Sequence, residues 1–239
     1  MNKTVLILVV ILVAASAGYW FMSRTTEAPD EFSSQNESEM ESLSEIPVSS
    51  SATMEPGRYE VDSESSVINF AAGKPAIAGY VHRGAFTLQS GNITLEDSSL
   101  TGEFVIDINS LKITSLGGGK VGQESALESH LKGEGFFDAE TYNTARFTIT
   151  DVEPKVLPGP DHADYTATGN LTLKGQTNEV KFPMKVVVNE NDEVWATANL
   201  EIDRTKWGIS QGSASIAEKI TDNIIGDIVS LDLSVKLEN

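Results

Sequence analysis

From Tyr59 to the C-terminus, apolar and polar residues alternate with period two between turn signals, which predicts half-buried strands with one apolar face. The apolar positions run Ile68 and Phe70; Phe86 and Leu88; Phe104, Ile106 and Ile108; Phe147 and Ile149; Leu171 and Leu173. They continue through Val180, Phe182, Met184 and Val186; Val194, Ala196, Ala198 and Leu200; then Val229, Leu231, Leu233 and Val235. Interleaved Thr148, Asn170, Thr172, Lys181, Lys185, Thr197, Asn199, Asp232 and Lys236 are expected to face water. Turn chemistry separates the runs at Ser90-Gly91-Asn92, Pro158 to Asp161, Lys174 to Asn178 and Asn189 to Asp192. Pro183 lacks an N–H for the ladder and marks a bulge or an edge. Helical spacing of Ala126, Leu127, His130 and Leu131 predicts one helix from Gln123 to Lys132, and Ser213 to Ile220 is read as a second short one.

About eight antiparallel strands with a single inward face satisfy their edges best by closing into an all-β barrel. From pattern alone a sandwich stays open, and so does a barrel whose inward side chains simply fill it.

The first 24 residues carry Lys3, an apolar run from Val5 through Met22, and Arg24. That length suits a transmembrane signal anchor, which the apolar residues beyond Ala17 favour, while Ala15-Ser16-Ala17 also fits the cleavage site of a removable signal peptide. Both readings place the domain outside the cytoplasm, membrane-anchored or secreted. Residues 25–56 are rich in Ser and Glu and hold no Lys or Arg, and are expected to form a disordered acidic tether. The folded domain is expected over 57–239.

Net charge is −18, which argues against binding nucleic-acid phosphates through a basic patch. The absence of cysteine removes disulfides, thiolate catalysis and cysteine metal sites.

Three segments carry a resemblance. His130 to Phe147 (HLKGEGFFDAETYNTARF), Gly169 to Phe182 (GNLTLKGQTNEVKF) and Asp203 to Ile209 (DRTKWGI) resemble the YceI-like family of extracytoplasmic proteins. So do Tyr59 to Asp62, Ser66 to Phe70, the Gly73-Lys74 and His82-Arg83-Gly84 pair, and Phe104 to Leu111. The likeness implies a lipocalin-like barrel enclosing an apolar cavity for a polyisoprenoid lipid, quinone-like ligands included, with no catalysis and no cofactor. On that reading the cavity wall is Phe70, Phe86, Phe104, Ile106, Phe147, Ile149, Leu171, Leu173, Phe182, Met184, Ala196, Ala198, Leu231 and Leu233. Lys74, His82, Arg83, Phe136, Phe137 and Arg204 are the candidates for the mouth or a headgroup contact.

Simpler roles stand beside these. His130 near a helix end suits the macrodipole, His82 suits a hydrogen bond in its hairpin, and Arg204 beside Asp203 suits an ion pair. His82, His130 and His162 show no metal-ligand spacing, and no nucleophile, base and acid set emerges. Gly117-Gly118-Gly119-Lys120 lacks the spacing of a phosphate loop and reads as a loop before the helix. The competing function is an envelope interaction or stress module with a filled core. Lipid identity and oligomeric state are not encoded in any motif.

Overall fold

The computed structural model describes residues 55–239, except 97–98, 119–121, 155–164, 190, 192, 214 and 216–223. The expected anchor and tether, the Pro158 to Asp161 turn and nearly all of the second helix lie outside the described residues.

Ten strand segments alternate along the chain: β1 (Gly57–Gly73), β2 (Val81–Phe86), β3 (Leu88–Glu96), β4 (Ser99–Asp107), β5 (Lys112–Ser115), β6 (Thr144–Pro154), β7 (Tyr165–Leu173), β8 (Gln176–Val188), β9 (Val194–Asp203) and β10 (Ile228–Glu238). All pairings between them are antiparallel, and β10 returns to pair with β1, closing the sheet. The segments make eight staves, because β2 with β3 and β4 with β5 are each one strand interrupted at the same level. There Asp107 accepts from Asn109 N and Ser110 Oγ accepts from Thr87 N, so a 3₁₀ turn at Ile108–Ser110 breaks one stave against the other. β1 bends at a register shift between Asp62 and Val67, and so pairs with β3 at one end and β2 at the other. Closure removes the exposed edges that a flat sheet of this length would present.

Two turn assignments shift. Ser90-Gly91-Asn92 lies inside β3 opposite Phe104 and its neighbours, at a register irregularity rather than a chain reversal. The β7–β8 reversal needs only Lys174 and Gly175, with φ of 49° and 71°, the paired left-handed geometry of a two-residue hairpin. Pro183 sits where β8 parts from β9. The ladder runs from Met184–Ala198 to Val188–Val194 and stops there, since Pro183 has no N–H to carry it further.

One α-helix is present among the described residues, α1 (Glu124–Lys132), starting one residue later than the pattern predicts. Its Glu128 accepts from Ile113 N (2.9 Å) and pairs with Lys112 (3.6 Å), covering the free edge of β5. The next residues fold back on the helix end. Gly133, Phe137 and Ala139 N–H groups donate to the carbonyls of His130, Leu131 and Lys132, which the helix itself leaves unpaired.

The barrel has two unlike halves. Where β1 begins and β10 ends, Tyr59, Ile93, Leu100, Val194 and Leu237 pack as a solid apolar core. Lys236, expected in water, is 18% exposed there, between carboxylates of Asp62 (3.5 Å), Glu193 (3.0 Å) and Glu238 (3.7 Å). The other half is hollow.

Candidate functional site

The hollow half holds a cavity of about 640 Å³. All fourteen residues expected on its wall line it, from Phe70 on β1 to Leu231 and Leu233 on β10. Of the mouth candidates, Lys74, His82, Phe136, Phe137 and Arg204 also line it, while Arg83 is exposed on β2 and does not. The volume lies well within the range of small-molecule sites. A filled core, the alternative that the pattern leaves open, is therefore confined to the other half.

Why the lumen stays open follows from where the aromatic rings rest. Phe70 lies against Gly84 directly across the ladder, and a Cβ on that glycine would stand 2.5 Å from the ring. Phe147 lies against Gly169, its diagonal neighbour on β7, where a Cβ would stand 2.4 Å from the ring. Glycine thus provides recesses in the wall, and the rings fill these instead of the lumen. The rings form two rows, Phe70–Phe86–Phe137 with centroids 5.5 Å apart and Phe104–Phe147–Phe182 at 6.4 and 5.5 Å. Small Ala145, Ala167, Ala196 and Ala198 leave space between them.

The far end is built by the segments that carry the family-like motifs. Leu127 and Leu131 of α1 face the cavity, and Phe136 is buried behind them with the His130 ring 5.0 Å from its own. The sequence reading missed this part of the wall apart from the two phenylalanines. Helical spacing of Leu127 and Leu131 was the available signal. Ile209, Gln211, Gly212 and Ile225 also line the cavity, from a loop with no periodicity to announce it.

Arg204 is 5% exposed, and the expected ion pair is one part of a larger set of contacts. Nε donates to Gly226 O (3.0 Å), Nη1 to Ile209 O (2.6 Å) and Gln211 O (3.1 Å), and Nη2 to Ile225 O (3.2 Å). Its ion-pair partner is Asp227, at 3.6 Å. Asp203 instead accepts from Thr205 N and Oγ1, starting the 3₁₀ turn Arg204–Trp207. Burial lowers the guanidinium pKa, opposed by Asp227 and Asp203. The residue is a structural clamp that fixes a loop of the cavity wall.

Lys74, Tyr80 and His82 cluster at the turn joining β1 to β2. The Lys74 ammonium stands 4.9 Å from the Tyr80 ring centroid, and the His82 ring meets Tyr80 edge-on at 4.9 Å. His82 Nδ1 is buried without a hydrogen-bond partner among the described residues. Burial, with a smaller contribution from Lys74, lowers the imidazole pKa, and the nearby Leu116 backbone opposes this.

Comparison with known proteins agrees with this architecture. A sequence model of the YceI-like domain matches residues 59–237. A UPF0312 protein of Pectobacterium carotovorum is 30% identical over 112 residues, 47% of this chain and 48% of that protein. One from Pectobacterium atrosepticum is 35% identical over 68 residues, 28% of this chain and 32% of its own length. The matched stretches thus span half or less of these curated relatives. Among solved structures, BcnA of Burkholderia cenocepacia superposes with a TM-score of 0.53 at 22% identity, over 74% of this chain and 98% of BcnA. A polyisoprenoid binding domain from Saccharophagus degradans, implicated in plant cell wall breakdown, gives 0.55 at 18% identity, over 77% and 99%. At such identities the likeness establishes the fold.

Proposed function

The chain belongs to the YceI-like domain family, and from that membership we propose that it binds a polyisoprenoid or similarly apolar lipid inside the barrel, without catalysis. The observation that carries the reading is the 640 Å³ cavity with a wall made almost wholly of aliphatic and aromatic side chains. The structurally similar domain from Saccharophagus degradans, a polyisoprenoid binding domain, supports the choice of ligand class.

Energetics make the protein a carrier rather than a trap. Burying a hydrocarbon tail gains roughly 0.8 kcal/mol per CH₂ relative to water, and a bilayer offers nearly the same gain. Transfer between membrane and barrel is then close to neutral, and cavity shape sets selectivity. The apolar Val5 to Met22 segment supports an export or anchoring role, placing the domain outside the cytoplasm near its lipid source.

Organic extraction of the purified protein, followed by mass spectrometry, is expected to recover an isoprenoid, and an added quinone is expected to bind the emptied barrel. Recovery of no apolar lipid together with failure to take up quinone would overturn the proposal.

A further inference from the structure

The cavity is apolar on nearly all sides, so its few polar groups decide what the polar end of a ligand can be. Among its described lining residues the permanently cationic side chains are Lys74 and Arg204. Arg204 has nothing to offer a ligand. Its donors are directed at the four carbonyls of Ile209, Gln211, Ile225 and Gly226 and at the Asp227 carboxylate. Turning it toward a ligand would strip the loop of its clamp and break the ion pair with Asp227.

Lys74 is different. Its ammonium carries three donors, and among the described residues it meets the Tyr80 ring rather than a carboxylate or carbonyl. His82 shares that ring from its edge, close enough for Lys74 to oppose a second positive charge there. The subsite therefore presents one positive charge, held by a lysine against an aromatic face, and a neutral imidazole.

We propose that Lys74, seated against Tyr80 and His82, is the head subsite of the cavity, and that it selects isoprenoid lipids ending in an uncharged oxygen, a hydroxyl or a carbonyl, over phosphorylated ones. This rests on the reading of the cavity as a lipid site. The oxygen accepts a charge-assisted hydrogen bond from the Lys74 ammonium while the tail runs down between the rows of phenylalanines. A phosphate brings about two negative charges near neutral pH and a diphosphate more. A single ammonium leaves part of that charge uncompensated at the edge of an apolar cavity, where it is costly. The strongly acidic chain, at −18, adds repulsion.

The test uses the full chain and its Lys74→Met variant, which keeps the length of the side chain and removes its charge. Affinities are measured for geranylgeraniol, for geranylgeranyl diphosphate, for a short-chain ubiquinone and for a branched hydrocarbon of matching length. The alcohol and the quinone are each expected to bind the wild type at least about tenfold more tightly than the hydrocarbon or the diphosphate. Lys74→Met is expected to erase that preference while still binding the hydrocarbon, which also shows that the variant is folded. Tighter binding of the diphosphate, or a preference that survives Lys74→Met, overturns the subsite. Failure of all four probes to bind overturns the lipid-site reading itself, and this proposal with it.

Discussion

The indole nitrogen of Trp207 donates to the main-chain carbonyl of Leu171 at 2.9 Å, tying the 3₁₀ turn after β9 to β7. At 1% exposure the ring is almost wholly enclosed. Trp207→Phe keeps much of the apolar bulk and removes this hydrogen bond, so a loss of about 0.5–1.5 kcal/mol is expected. Trp207→Ala should lose about 3–5 kcal/mol because it also opens a cavity. Denaturant midpoints check both, and a Phe variant as stable as the wild type would show that the hydrogen bond contributes nothing.

Gly169→Ala is expected to reduce lipid capacity. The added methyl meets the Phe147 ring at 2.4 Å and Thr148 O at 2.5 Å, so the ring must leave its recess for the lumen. Stability should also fall, because part of the conflict is with backbone. Adding Phe147→Leu should recover some of both losses, as read by quinone uptake and thermal unfolding. If Gly169→Ala takes up lipid as the wild type does, the recesses do not govern capacity.

His82 makes stability sensitive to mild acid. Its folded pKa is lowered, chiefly by burial, so the unfolded chain binds the proton more readily and stability rises with pH in that range. The contribution is intact above the ordinary histidine value and is lost as pH falls from there toward the folded pKa. Unfolding free energies of wild type and His82→Phe between pH 7.5 and 5, about the histidine range, should differ in slope, with the wild type losing more. Parallel slopes would remove His82 as the cause.

Beyond Pro183 the β8–β9 ladder is absent, although the same register would continue Phe182 opposite Leu200 and Val180 opposite Ile202. Amides of β8 between Gln176 and Phe182 that point away from β7 are expected to exchange with solvent faster than those of Met184 to Val188. Hydrogen exchange followed by NMR resolves the two groups, and uniform protection along β8 would show a bonded seam.

Several of these features were legible in the residues. Alternation gave the inward face, because successive side chains on a strand point to opposite sides whatever the strand's partner. Pro183 announced a defect in the ladder, and the defect is an interruption between β8 and β9. Ser90-Gly91-Asn92 misled because its turn-forming composition serves a strand: a Cβ at Gly91 would stand 2.9 Å from the Phe104 ring. The ion pair of Arg204 was legible too, but its partner is Asp227, because the adjacent Asp203 caps the turn.

Local pattern alone set the strand faces, the helix and the family. These depend on local periodicity and on short motifs. Tertiary structure alone decided that half of the barrel is solid and half hollow, that Arg204 serves Asp227 and four carbonyls, and that Phe70 and Phe147 lie in recesses over Gly84 and Gly169. Each of those outcomes depends on partners brought together from distant parts of the chain by strand register. A strand's own alternation says which way a ring points, while the residues on the neighbouring strand decide whether that ring fills the lumen or lies flat against its wall.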